Sequence, residues 1–264
     1  MILIFVRSLI FNLLFYIVTI ALSLAAVPTL LMGAEGTLVV VRWWGRSCLF
    51  LLRHVCNIRV EFRGVEKIPE GPLLVASKHQ SLWETFTLVL FVKRPIIILK
   101  RQLTYIPVFG QLLINAGSIG IDRKDGVRAL LDMTRQASEG VQSGGQLLIF
   151  PEGTRTAPGA APDYKGGFIQ LYKACKVTCL PVGLNSGLFW PRRSFLRYPG
   201  TVILEFMDPL PPGLHKDEFL SRARSAIEDA TARAIEAGRR EQEQLMGRCP
   251  VLERDAGASA GLKP

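Results

Sequence analysis

The stretch Leu73-Leu74-Val75-Ala76-Ser77-Lys78-His79-Gln80-Ser81-Leu82-Trp83-Glu84 decides the fold. Its opening run is short and apolar, as in a strand buried within a sheet. Polar residues follow at once, and a helical pattern then runs over residues 82–92. A buried strand that enters a helix through a short polar turn is a building unit of α/β proteins. The same alternation continues on both sides. Strands are expected over residues 58–62, 96–99, 118–121, 146–150, 177–184 and 201–207. Helices are expected over 127–141, 168–176 and 216–246, the first stopped by Gly144-Gly145. The expected fold class is therefore α/β, a mixed sheet flanked by helices, occupying residues 58–246. Ligands of such sheets sit beyond the carboxyl ends of the strands. Residues 247–264 lack periodicity and are expected to form a disordered tail.

Upstream, residues 8–34 carry no charge and are mostly Leu, Ile, Val, Phe and Ala. About 20 such residues in a helix cross a bilayer. A cleaved signal peptide is the competing reading, with Ser23-Leu24-Ala25 as a cleavage site. The apolar run is long for that purpose and continues to Met32. A second helical stretch over residues 37–57 sets Arg42, Arg46 and Arg53 along one stripe, and Trp43 and Trp44 suit the headgroup level. Residues 1–57 are thus expected to form a membrane-anchoring helical pair. The second helix reads equally as one packed on the soluble domain.

The chain has 264 residues, 49% hydrophobic and 20% charged, with a net charge of +10. Such a basic protein calls for an acidic partner: nucleic acid, an anionic membrane or a phosphorylated small molecule. Aromatic content of 9% gives no support to nucleic acid. The five cysteines are an odd number without a C-x-x-C pair, and none of the three histidines is spaced near a cysteine pair. That argues against a zinc site and for reduced, mostly buried thiols in a cytosol-facing protein.

Two motifs carry candidate chemistry. His79 stands where a strand ends and a helix begins, and imidazole is suited to take a proton from a hydroxyl near neutral pH. Glu84, five residues on, is the carboxylate that would fix its tautomer. Ser81 and Glu84 also read as a capping box, which explains both without catalysis. The second motif is Phe150-Pro151-Glu152-Gly153-Thr154-Arg155: a strand delivers a glycine loop with a hydroxyl and a guanidinium, a phosphate-gripping combination. A polar surface turn is its bland counterpart. Lys165 precedes Gly166-Gly167 at a helix start, and Gly120-Ile121-Asp122-Arg123 places another cation at a strand end.

Taken together, His79-x4-Glu84, Gly120-Ile121-Asp122-Arg123, Phe150-Pro151-Glu152-Gly153-Thr154-Arg155 and Leu180-Pro181-Val182-Gly183 resemble, in order, the four blocks of the glycerolipid acyltransferase family. They look most like those of bacterial 1-acyl-glycerol-3-phosphate acyltransferases. Lys100-Arg101-Gln102-Leu103 and Lys165-Gly166-Gly167-Phe168 resemble its connecting segments, and coverage runs over residues 58–211. The resemblance implies His79 as general base, oriented by Glu84. It implies Arg123, Glu152, Gly153, Thr154 and Arg155 as the acceptor's phosphate grip, supported by Lys100 and Lys165, with the block containing Pro181 lining the acyl-donor side. It implies transfer of an acyl group from acyl-CoA or acyl carrier protein to the sn-2 hydroxyl of lysophosphatidic acid at the cytoplasmic face of an inner membrane, with no metal, no bound cofactor and no nucleic acid. Two departures stand out. The family usually has aspartate where Glu84 stands, and often asparagine where Lys78 stands. Another lysolipid as acceptor, a lipid hydrolase and a non-catalytic basic membrane-binding module are the competing readings; the hydrolase lacks a G-x-S-x-G motif.

Overall fold

The computed structural model describes residues 1–122 and 126–254. Seven strands form one sheet: β1 (Ile58–Arg63), β2 (Leu73–Ser77), β3 (Pro95–Lys100), β4 (Ile119–Ile121), β5 (Gln146–Ile149), β6 (Cys179–Leu184) and β7 (Gly200–Phe206), in the order β1-β7-β6-β2-β5-β3-β4. Neighbours are parallel except β6 and β7. The sheet is thus mixed, as expected. β2 to β6 all point their carboxyl ends to the same edge.

β2 sits in the middle with every residue buried. Its side chains alternate between two cores: Leu73 and Val75 face one, Leu74 and Ala76 the other. That period of two, with both faces covered, is why the run is apolar throughout. The first core is closed by α1 (Ile2–Ala25), α2 (Gly33–Cys56), α3 (Trp83–Thr87) and α7 (Ser186–Phe189); the second by α5 (Gly126–Gln142), α6 (Gly166–Cys175) and the amino-terminal half of α8 (Lys216–Met246). α8 crosses β6 and β7 closely. A Cβ on Gly183 would lie 2.5 Å from Ala230 Cβ, so only glycine allows the approach.

The helix expected over 82–92 is shorter: α3 is followed by a 3-10 turn over Leu88–Leu90. A helix absent from the sequence reading, α4 (Phe109–Asn115), follows a 3-10 turn over Arg101–Tyr105. The tail is also corrected. Cys249 and Val251 are buried in the first core, because the chain folds back after α8 as far as Arg254; residues 255–264 lie outside the described residues.

α1 and α2 pack against each other as a pair. α1 is long and apolar enough to cross a membrane, with a mean hydropathy of 2.2 in its most apolar window. One side of it is nevertheless attached to the domain. Phe11 and Phe15 pack edge-on against Trp190, Phe5 meets Phe195, and Asn12 Nδ2 donates to Phe195 O at 3.1 Å. Arg197, buried, stacks over Trp190 at 4.2 Å and donates to Asn12 Oδ1. The opposite side exposes Leu9, Leu13, Tyr16, Ile17, Ile20 and Leu24. α2 is attached too: Arg42 donates to Val92 O and Lys93 O, so this arginine of the expected stripe caps a domain turn.

Candidate active site

β2 delivers Ser77, Lys78 and His79 to the carboxyl edge of the sheet, and the chain turns there into α3. The turn is built around one carboxylate. Glu84 Oε1 accepts from the backbone N–H of Gln80 at 2.6 Å and of Ser81 at 2.7 Å, and lies 2.8 Å from His79 Nδ1. Ser81 Oγ accepts from Trp83 N–H at 2.9 Å in the turn that leads into α3. The same Glu84 oxygen therefore closes the turn on two backbone N–H groups and contacts the imidazole, whereas the expected capping box with Ser81 as N-cap is not formed, because α3 begins after Leu82. The additional methylene of glutamate does not break the contact with His79. Glu84 is fully buried, and its Oε2 accepts from Ser186 Oγ at 2.7 Å.

A carboxylate on Nδ1 holds the neutral ring in the tautomer with the proton on that nitrogen, which leaves the Nε2 lone pair to act as a base. The ring stacks on Phe150, centroids 3.9 Å apart and 16° from parallel, and keeps 14% of its side chain exposed. The first residue of the second motif thus holds the face of the imidazole of the first.

The Phe150–Arg155 motif lies directly against the His79 turn, but its members divide. Glu152 is corrected: it does not face outward toward a ligand. Its Oε1 accepts from Lys78 Nζ at 2.7 Å and Thr156 Oγ1 at 3.0 Å, and its Oε2 accepts from His79 N–H at 3.3 Å. Thr156 N–H in turn donates to His79 O at 2.8 Å. With 2% exposure and the Lys78 ammonium bound to it, Glu152 clamps the loop to the His79 turn, and a phosphate brought against it would meet like charge. Gly153 takes φ +63 at the turn, and Thr154 and Arg155 stand exposed beyond it. Arg192 donates to Arg155 O, so a further cation approaches this loop from the segment after α7.

The remaining expected residues sit as follows. Lys100 is exposed at the carboxyl end of β3, on the same edge as His79. Lys165 is exposed, its N–H donates to Pro151 O at the base of the loop, and its ammonium pairs with Asp163, which reduces its availability to a ligand. Pro181 lies buried inside β6, opposite Ala76 of β2. It is a sheet-packing residue, so this block supplies an interior strand rather than an open lining. Arg123 lies outside the described residues. All five cysteines are free and buried, and burial pushes the Cys175 thiol up to about 11, which keeps it protonated and unreactive.

Several residues of the site were not legible in the sequence. Lys78 Nζ also contacts Glu228 of α8 at 3.0 Å, and Tyr164 donates to the same glutamate at 2.9 Å. Ser186 and Gln80 belong to the same group. Their partners lie 64 to 150 positions away for all but local contacts, so no spacing rule announces them.

A family model described as acyltransferase matches residues 59–185. A 1-acyl-sn-glycerol-3-phosphate acyltransferase of Pseudomonas aeruginosa is 41% identical over 163 residues, 62% of this chain and 63% of that protein. One of Cocos nucifera is 30% identical over 134 residues, 50% and 44% of the two chains. The matches span less than two thirds of the length of these curated relatives. The crystal structure of the 1-acyl-sn-glycerophosphate (LPA) acyltransferase PlsC from Thermotoga maritima is 23% identical and superposes with a TM-score of 0.70, covering 86% of this chain and 97% of that one. That likeness shows a shared fold.

Proposed function

We propose that this chain, whose residues 59–185 match the acyltransferase family model, moves a fatty acyl group from a thioester, acyl-CoA or acyl carrier protein, to the free sn-2 hydroxyl of 1-acyl-glycerol-3-phosphate, giving phosphatidic acid. The observation that carries this reading is the His79–Glu84 pair at 2.8 Å, with Glu84 buried and the imidazole partly exposed, set beside the glycine–arginine loop at the carboxyl edge of the sheet. The names of the relatives point to the same acceptor.

His79 Nε2 takes the proton of the acceptor hydroxyl as its oxygen attacks the thioester carbonyl carbon. The tetrahedral intermediate collapses and expels the thiolate, and the imidazolium returns the proton to that sulfur. Glu84 stabilises the imidazolium while it exists. Binding two reactants together supplies up to about 7–11 kcal/mol of the barrier in favourable cases. No acyl-enzyme is required: Ser81 Oγ is buried and committed to the backbone N–H of Trp83. The acyl carrier enters as a substrate, and no metal or resident cofactor is invoked.

Arg155, exposed beyond Gly153, grips the acceptor's phosphate, with Lys100 and Arg192 on the same edge. The variant Arg155→Ala is expected to raise KM for lysophosphatidic acid about tenfold or more, the value of a charge-assisted hydrogen bond, with a smaller change in kcat. Steady-state kinetics with varied acceptor measure it, and an unchanged KM would remove Arg155 from the grip.

The helical pair anchors the enzyme to a bilayer, with the catalytic domain on the cytoplasmic side of the inner membrane. α1 is bound along one side to the domain through Phe5, Asn12 and Phe15, so it presents only its outer face to lipid and lies in one leaflet. The double variant Leu13→Asp, Ile17→Asp places two charges on that face at a cost of roughly 2–3 kcal/mol each. It is expected to release the protein from phospholipid vesicles in a flotation assay without unfolding the domain. Full retention on vesicles would show that another surface binds the membrane.

A further inference from the structure

Glu84 is held from two sides of the fold, and the second side has no counterpart in the motif that contains it. The donors to Oε1 come from the turn itself, namely His79, Gln80 and Ser81. They fix one oxygen and leave the carboxylate a pivot about it. Oε2 meets Ser186 Oγ at 2.7 Å, a donor on α7 from 102 residues away, and both side chains are wholly buried. We propose that Ser186 is a positioning residue, whose hydroxyl stops this pivot so that the longer glutamate side chain still presents its other oxygen to His79 Nδ1. The proposal rests on His79 as the base.

Ser186 is itself fixed before any substrate binds. Asn185 Oδ1 accepts from Ile203 N–H of β7 at 2.8 Å, and its Nδ2 donates to Ala234 O of α8 at 2.7 Å. Gly187 N–H donates to Gln80 Oε1 at 3.0 Å. A Cβ on Gly187 would lie 2.8 Å from Pro158 and 2.9 Å from Gln80, so α7 is pressed against the catalytic turn. Asn185, Ser186 and Gly187 therefore act as anchor, prop and contact in three successive residues. A glutamate has one more rotatable bond than aspartate, and ordering it costs more. A buried donor on the second oxygen offsets that cost.

The test is a double-mutant cycle on the full chain, read by thiol release. Ser186→Ala is expected to lower kcat about tenfold, the value of a hydrogen bond to a charged group, with KM for both substrates within about twofold. The acid limb of its kcat–pH profile is expected to move to higher pH, because a carboxylate that has lost a donor concentrates its charge on the imidazolium. In a Glu84→Asp background the shorter side chain cannot reach both partners, so adding Ser186→Ala should change kcat by less than about twofold. Equal losses in both backgrounds, or a lowered melting temperature with kcat and the acid limb unchanged, would overturn the proposal. Should Glu84→Asp prove inactive, the acid limb decides. His79→Ala measured alongside separates the two readings: if it is active the base assignment fails, whereas if it is inactive and Ser186→Ala matches the parent, only the role of Ser186 fails.

Discussion

Replacing His79 with alanine is expected to lower acyl transfer by roughly 10²–10⁴-fold, the contribution of a positioned general base, while the protein stays folded and membrane-bound. The fold is spared for a local reason. Glu84 keeps its two backbone donors and Ser186 Oγ when the imidazole is gone, so the turn into α3 remains closed. What is lost besides the base is the stacking on Phe150, worth about 0.5–1.5 kcal/mol. Thiol release with acyl-CoA and lysophosphatidic acid measures the rate, and circular dichroism with vesicle flotation measures the rest. Near-parental activity in the variant would end the assignment of His79, and with it the proposed chemistry. Binding of anionic lipid with no transfer in the parent protein would instead favour a basic membrane-binding module.

The second large effect falls on stability. Lys78 and Glu152 form an ion pair at 2.7 Å with side chains 2% and 1% exposed, and Glu228 of α8 closes the network on the other side of the ammonium. Lys78→Ala leaves the Glu152 carboxylate buried with only Thr156 Oγ1 and His79 N–H as donors. Breaking one side of a buried pair costs about 3–5 kcal/mol, a large part of the roughly 5–15 kcal/mol that holds a domain together. Urea unfolding midpoints measure the loss. Activity should fall with it, since Glu152 also holds the backbone of His79. The double variant Lys78→Met, Glu152→Gln removes both charges together and should recover most of the stability. If Lys78→Ala unfolds at the parental midpoint, or if the double variant is no better than the single one, the network is not what ties the Phe150 loop to the His79 turn.

Local rules read the elements well where the physics is local. The uninterrupted apolar run of β2 required cover on both faces, and it has it. The strand-to-helix junction at His79 followed from the change of period, and the i-to-i+5 reach from His79 to Glu84 stays within one turn. The short helices α4 and α7 escaped, because segments of seven and four residues carry too little periodicity to stand out. Glu152 was legible as a member of a motif, but its direction was not. Whether a carboxylate faces a ligand or a buried lysine depends on what the sheet brings beside it, here Lys78 just past the end of β2.

The order of apolar runs, glycines and chemistry-bearing side chains along the chain was enough to define an α/β sheet, a helix long and apolar enough to cross a membrane and the imidazole with its carboxylate, since each of these is written within a few consecutive residues. Only the folded chain decided that Glu152 is a clamp, that Pro181 is interior, and that Ser186 and Glu228 reach the His79 turn. Those assignments depend on strands that are neighbours in space but far apart in sequence, and the pairing of β2 with β5 and β6 is fixed by the packing of the whole sheet.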